Sequence, residues 1–463
     1  MFLPDQMVKS ILPLVILFIT LTGSVNLFSQ NQKIDGYRGI WFSSGEAGKY
    51  GYRLSGGVAT FSARHRPIAI YSPEARKTFF VYGGTTEADE QHLLTMISYY
   101  DHRLNQVPKP VIVYDKMGVT EPYDNASLSI DSDGYLWVFI SGRIRTRPGL
   151  IFKSSKPYSI EKFDKIEEWE MNSPQPWWIE GYGFLLMFSR TTNGRELYFS
   201  SSTDGLSWSE GKKIAGMGGH YQVSNVLGNK LFTVFNYHPD GNPDGRTNLY
   251  LLKTEDMGKT WKTVDDQTLE IPITNLHSEA LIKDYRSEGK LVHINDLNFD
   301  KSGNPVILAV LSNGPDPGPE DGPREWTVIS WKDNKWNFCK VCESSNNFDM
   351  GSLYIDGVIW RIIGPTEAGP QKYGTGGEIA LWESNDEGNS WNKIRNITSG
   401  SRLNNSFVRR PVDTKREFYA FWTDGNADKL SASHLYFTND KCDRIWELPY
   451  EMKSDPEKPV RKR

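Results

Sequence analysis

Along most of the chain, apolar residues come in short runs of about six that stop at Gly, Asn, Asp or Pro. Residues 77–82 (KTFFVY), 135–140 (YLWVFI), 183–188 (GFLLMF), 305–310 (PVILAV) and 358–363 (VIWRII) are examples. Hardly any stretch carries apolar residues at helical spacing. Short strands with turn signals at this density predict an all-β chain: a sandwich, a barrel or a propeller.

A repeated box decides among these. Ser202–Trp208 (STDGLSW), Thr254–Trp261 (TEDMGKTW) and Ser384–Trp391 (SNDEGNSW) are variants of S/T-x-D-x-G-x-x-W, the first one residue short. In such a box the Asp and Ser/Thr satisfy the backbone donors of a tight hairpin, Gly permits the turn, and Trp packs between neighbouring sheets. Asp204 and Asp256 lie 52 residues apart, close to one four-stranded blade with its loops. Dividing the mature length by such a period predicts a single propeller of about seven antiparallel blades. Residues 37–42 (YRGIWF) are expected to add a strand to the last blade and close the ring.

The densest chemistry lies at 218–261. Two strand-like runs there flank His220, Tyr221, Asn236, Tyr237, His238 and Arg246, and the stretch ends in a box. An inner and a middle blade strand, with polar residues facing the central funnel, fit this pattern.

The ends look different. Lys9 precedes an apolar run at 11–21, short for a bilayer span, followed by small and polar residues up to Gln30. Residues 1–30 are therefore expected to be a signal peptide, with an N-terminal anchor as the alternative, and the mature chain to be exported, periplasmic or secreted. Residues 31–450 are expected to form the propeller. The charged stretch 451–463 (EMKSDPEKPVRKR) reads as a disordered tail.

Composition narrows the function. Aromatics make up 13% of residues, with 15 Trp and 22 Tyr, which suits strands and sugar stacking. The net charge of −4 argues against nucleic acid as a partner. Three cysteines cannot all pair internally. Cys339 and Cys342 form a CxxC in a strand-like run whose alternation sends them to opposite faces, so a disulfide, a metal site and a structural role all stay open. No full ligand set for a metal is legible. Structural calcium on loop carbonyls, or zinc, stays open, and no other cofactor is implied. Oligomeric state is not readable.

The chain resembles the bacterial ulvan lyases, exported propellers with neuraminidase-type repeats. The matching words span nearly the whole mature chain: GYRGIWF (36–42), SGG (55–57), KTFFVYGG (77–84), MISYYDH (96–102), GGHYQVS (218–224), FNYHPDGNPDGRTNLY (235–250), DMGSLYI (349–355), GPTEAGPQKYGTGGE (364–378), RRP (409–411) and FYAFWTDG (418–425). The resemblance implies β-elimination on a uronic acid within a sulfated polysaccharide or its oligosaccharides. A base removes the C5 proton, a cation or amide faces the carboxylate, and an acid protonates the group leaving C4.

In this family the groups sit in words resembling AHDNP, a His in a segment ending ARP, HYQ, and FNRHP. The present chain departs at three of the four. Tyr123 stands in the first word (Pro122-Tyr123-Asp124-Asn125-Ala126), Arg143 in the second (Gly142 to Pro148), and Tyr237 in the last, while His220-Tyr221-Gln222 is kept. The exchange looks complementary, a cation gained at 143 where one is lost at 237. It implies a rewired elimination site: Tyr221 as base, or as base and acid combined, Arg143 as the cation that lowers its pKa or clamps the uronate, and Tyr123 or His220 as acid. Asn125, Arg147, Tyr237, His238, Arg246 and His65 are then candidates for substrate binding. The bland alternatives are that Tyr and His bond neighbouring blades, that Arg143, Arg145 and Arg147 line one solvated strand face, and that Arg409 and Arg410 are framework. The group leaving C4 is either the next sugar, in a lyase, or water from a terminal uronate, in a dehydratase. Two other classes stand beside elimination: a non-catalytic glycan-binding propeller, and a sialidase-type hydrolase with Arg38, Arg246 and Arg324 as its arginine triad. No membrane partner is expected after the signal is removed.

Overall fold

The computed structural model describes residues 30–87, 92–117, 121–144 and 146–462. The expected signal peptide, but for Gln30, and Arg145 lie outside them. Among the described residues no helix is long and apolar enough to cross a membrane.

Seven antiparallel sheets follow one another along the chain as the blades of a propeller, each mostly of four consecutive strands. Their innermost strands are Ala69–Ser72, Ala126–Ile130, Asn172–Ile179, Gln222–Leu227, Leu291–Phe299, Ser352–Asp356 and Asn404–Arg409, in blades 1 to 7. Each blade is an antiparallel meander, so every inner strand runs the same way. The connectors entering the inner strands and the hairpins between second and third strands therefore share one face of the ring. Blade 4 gains Thr268–Leu269 and Leu281–Lys283, and blade 7 gains Val460–Arg461. The apolar alternate positions meet between blades; Phe79, Phe80, Val138, Phe152, Phe421 and Phe437, for instance, join blades 1, 2 and 7.

The boxes behave as their chemistry requires. Asp256 Oδ1 accepts the Thr260 N–H at 2.9 Å, and Thr254 Oγ1 accepts the Gly258 N–H at 3.0 Å. Gly258 has φ +80°, and a Cβ there would lie 2.2 Å from the Phe199 ring of blade 3. Trp261 is buried edge-on to the same ring, 5.3 Å between centroids. The box thus turns the third strand of the blade into its outer strand and glues the blade to its neighbour.

Two expectations about the ends are corrected. The segment at 37–42 does not extend the last blade, because its hydrogen bonds alternate between two blades and so cannot follow either in register. Asn31 and Ile34 donate to Ile112 and Pro110 of blade 1, Tyr37 and Gly39 to Pro449 and Ser433 of blade 7, and Ile40 to Gly83 of blade 1. Trp41–Ser44 then pairs with Leu54–Gly57 as a hairpin. Gly57 lies so close to blade 7 that a Cβ would sit 1.9 Å from the Asp424 carbonyl oxygen. The ring is closed by this stitch. The tail is likewise placed rather than disordered: Met452 donates to Asp35, Glu457 bridges Val107, and Val460–Arg461 pairs with Ile445–Glu447. Its charged side chains face outward while its backbone pairs with edges left by the outer strands.

All three cysteines are free; Cys342 packs against apolar residues of blades 5 and 6, and the Cys339 thiol meets the Asn389 carbonyl. Among the described residues no group of His, Cys, Asp and Glu is arranged to hold a metal ion.

Candidate active site

Tyr221 ends the connector that enters the inner strand of blade 4. Its place is fixed from both sides. The Tyr221 N–H donates to Asn236 Oδ1 at 3.0 Å, and the Gln222 side chain donates to the Phe188 carbonyl and accepts from Thr233. Asn236 also donates to the Val292 carbonyl and accepts from His238 Nε2. Only the phenol of Tyr221 is left to face the funnel.

Three guanidinium groups surround that phenol. Arg64, from the connector into blade 1, lies over the ring with Cζ 3.6 Å from its centroid. Arg246, from the middle hairpin of blade 4, is at 4.8 Å, and Arg195, from the middle hairpin of blade 3, is at 5.0 Å and donates from Nη1 to the phenol oxygen. Burial alone would push the phenol's pKa up, but Arg64, Arg195 and Arg246 outweigh it and bring it down to about 8. Burial, with repulsion from Arg195 and Arg246, lowers the Arg64 guanidinium to about 10, still charged at neutral pH.

Tyr123 is the counterpart. It is half-buried, and its pKa is pushed up to about 12 by desolvation and then by the Tyr221 charge, against the pull of Arg64 and Arg246. Its ring lies 5.1 Å from Arg64 Cζ and 5.9 Å from Arg143 Cζ. One tyrosine is thus poised to lose its proton and its neighbour to keep one.

A cavity of ≈ 20 Å³ beside Tyr221, bounded by Arg64, Arg246, Asn236 and His293, has room for about one water. The Arg64 Nη1 and His293 Nδ1 atoms are buried there without a hydrogen-bond partner. Burial, with Arg246 and Arg324 nearby, holds His293 well below its usual pKa, and it stays neutral.

Several residues singled out from the sequence lie elsewhere. His220 donates from Nδ1 to the Asn236 carbonyl and accepts the Met217 N–H at Nε2, so both nitrogens serve the backbone. Burial lowers its pKa to about 4, and it is not placed to be the acid. His65 is likewise occupied, accepting the Ser62 N–H and donating to the Tyr123 carbonyl at 3.0 Å. It holds the backbone of Tyr123 and does not reach the funnel. Asn125 donates to the Val58 and Phe61 carbonyls, and its Oδ1 is buried beside Gly83. Arg147 pairs with the buried Asp124 at 3.1 Å. Tyr237 packs with apolar residues between blades 3 and 4.

Arg143 pairs with Glu121 at 2.7 Å on the Tyr123 side, so it is not the cation that lowers the Tyr221 pKa. His238 does reach the site, 4.5 Å edge-on to the Tyr221 ring, but is held neutral by burial and the neighbouring arginines. Arg38 pairs with Asp35, and Arg324 donates to the Gly318 and Gly322 carbonyls, so the sialidase-type triad does not converge. Arg409 is spent on the Thr60, Ser62 and His65 carbonyls, and Arg410 on Asp296.

Sequence reasoning missed Arg64, Arg195 and His293. Arg64 opens the word Arg64-His65-Arg66-Pro67, whose histidine is the more conspicuous chemical group. Arg195 sits in a hairpin with no motif of its own.

Among curated proteins none matches the chain. Among solved structures it is similar to a polysaccharide lyase of family PL25, an ulvan lyase. The TM-score is 0.70 at 13% identity, over 88% of this chain and 96% of that one. The same lyase bound to -[GlcA(1-4)Rha3S]- gives 0.69, with the same identity and coverage. At that identity the likeness establishes the fold, a seven-bladed propeller. A family model described as a BNR repeat-containing family member matches residues 97–344, more than half of the sequence, and the chain belongs to the BNR repeat-containing family.

Proposed function

We propose that the protein is a carbon–oxygen lyase acting by β-elimination on a uronic acid in ulvan-type saccharides. The observation that carries this is a pair of tyrosines beside one arginine cluster: Arg64, Arg195 and Arg246 bring the Tyr221 phenol down to about 8, while burial and the Tyr221 charge push Tyr123 up to about 12. The uronate carboxylate pairs with Arg64 and Arg246, which neutralise the charge that builds on it. The Tyr221 phenolate takes the C5 proton, the C5–H electron pair becomes the C4–C5 double bond, and the C4–O bond breaks. Tyr123 gives its proton to the departing oxygen. Proton exchange with solvent then resets both phenols.

A terminal uronate losing its C4 hydroxyl as water fits better than the middle of a polymer. Tyr221, Arg64 and Arg246 are each less than a tenth exposed, and a chain end enters such a site where an internal unit needs an open groove on both sides.

The test gives the protein ulvan polymer and, separately, trimmed oligosaccharides. Ultraviolet absorbance of the conjugated uronate and product masses are followed. Absorbance rising with loss of one water from an uncut oligosaccharide supports the dehydratase, and rising with cleavage makes it a chain-cutting lyase. No rise with either substrate, with binding retained, would leave a glycan-binding module.

A further inference from the structure

A cleft of ≈ 520 Å³ opens between blades 6 and 7, well away from the inner strand of blade 4, and shares no residue with the Tyr221 cavity. One wall is the connector entering the last inner strand, including Arg402; the other is the outer half of blade 7. The connector and the middle hairpin of blade 7, which carries His434, belong to the face of the ring that holds Tyr221. The floor is aromatic, with Trp422 and Tyr436 stacked at 5.8 Å and 23°. Trp422 is locked by a bond from Nε1 to Asn405, and the Tyr436 hydroxyl donates to Asp424 at 2.9 Å. Asp424 also accepts the His434 N–H at 2.7 Å and faces its Nδ1 at 3.1 Å. The walls are preorganised by these bonds, and the volume is that of a small-ligand site.

Charge selects the ligand. Glu447 is neutralised by Lys462, and Asp424 is saturated by the His434 and Tyr436 contacts. Arg402 is exposed at the rim and makes no ion pair among the described residues. The cleft therefore offers one unspent guanidinium beside an imidazole whose other nitrogen has its acid partner in place.

We infer that the cleft between blades 6 and 7 is a second saccharide site that binds an anionic sugar unit, a uronate or a sulfate ester, through Arg402 and His434. Carboxylate and sulfate present the same planar or tetrahedral oxygen acceptors to a guanidinium. A saccharide held there is retained on the face where the Tyr221 site opens without occupying that site.

The full chain carrying Tyr221→Phe, which cannot turn substrate over, is titrated calorimetrically with an oligosaccharide of alternating glucuronate and 3-sulfated rhamnose. Two binding events are expected. Arg402→Ala and, separately, Ser399→Trp, which fills the exposed rim, should each weaken one event by about ten- to hundredfold and leave the other. Melting temperature checks that both variants fold. A carboxyl-reduced probe and a desulfated probe show which anion is read, the event fading with one of them. A single event in the parent, two events unchanged in both rim variants, or equal binding of a probe lacking both anions would overturn the inference. Two events in a protein that yields no unsaturated product would sink the elimination and leave this site standing.

Discussion

Arg195→Gln tests the central claim that the arginines exist to ionise Tyr221. Arg195 is the only one of the three that donates to the phenol oxygen. Glutamine keeps an amide donor and removes the charge. A phenol with a pKa of about 8 is about one-tenth ionised at pH 7. Losing one adjacent positive charge raises the pKa of an acid by about one to two. The variant should therefore hold about ten- to hundredfold less phenolate at pH 7, and kcat/KM should fall by that factor. The loss should shrink as pH rises, because a base that is merely too weakly ionised recovers once it is titrated.

Two assays check this. The kcat/KM profile of the wild-type chain should rise through about pH 8, and that of Arg195→Gln through a value one to two higher. Near-ultraviolet phenolate absorbance, taken as a difference from the matching Tyr221→Phe protein, should show the same displacement without substrate. A uniform loss at all pH values, or a phenol that titrates unchanged, would refute the reasoning. The substrate adds a further expectation. A bound carboxylate draws on Arg64 and Arg246 and places a negative charge near Tyr221, so its pKa rises in the complex and the rising limb of kcat should lie above that of kcat/KM.

Tyr123→Phe removes the proton donor and should lower kcat by about 10²–10⁴-fold with little change in KM, as steady-state rates would show. Tyr221 has its folded pKa, about 8, below the ordinary value of 10.0, so its stabilising contribution is absent at pH 7 and grows as pH rises between the two. The stability gap between wild type and Tyr221→Phe should widen in favour of wild type by up to about 2–3 kcal/mol, measured by denaturant unfolding at pH 7 and 10. His220→Ala leaves the Met217 N–H and the Asn236 carbonyl unpaired and should cost about 2–4 kcal/mol of stability. The pH limb of the folded fraction should stay where it is; a moved limb in a fully stable protein would restore His220 as a proton donor.

The propeller was legible because its signals are local. Turn residues, short apolar runs and the box from Thr254 to Trp261 each make their bonds within a few positions, and the repeat multiplies them. The phenol at Tyr221 was legible too, since it lies in a dense word of polar residues. What could not be read is which side chain each local word turns toward the funnel. His220 and Tyr221 are neighbours, yet one is consumed by the backbone of its own hairpin and the other faces three arginines. Arg143 fills a gap in a motif and so resembles an activating cation, but its charge is taken by Glu121, a residue with no motif signal. Arg64 and Arg195 come from other blades, 157 and 26 positions from Tyr221: Arg195 is carried in by the neighbouring blade, where its carbonyl accepts the His220 N–H, and Arg64 by the assembly of the ring. The stitch at the amino end was misread for the same reason: its partners lie at both ends of the chain.

That convergence of three blades bears on catalysis against binding. Arg64, Arg195 and Arg246 repel one another, and burying like charges is costly unless something compensates them. A module that only held an acidic sugar would do best with the arginines alone, since a phenolate among them competes with the ligand's carboxylate for the same guanidinium groups. A phenol at their centre weakens binding of an anion, and under the proposed elimination it supplies a base near neutral pH. Tyr123, 5.1 Å from the same Arg64, is held protonated and can donate its proton or a hydrogen bond. Both tyrosines are accounted for at once if a proton leaves carbon on one side of the sugar and another reaches oxygen beside it.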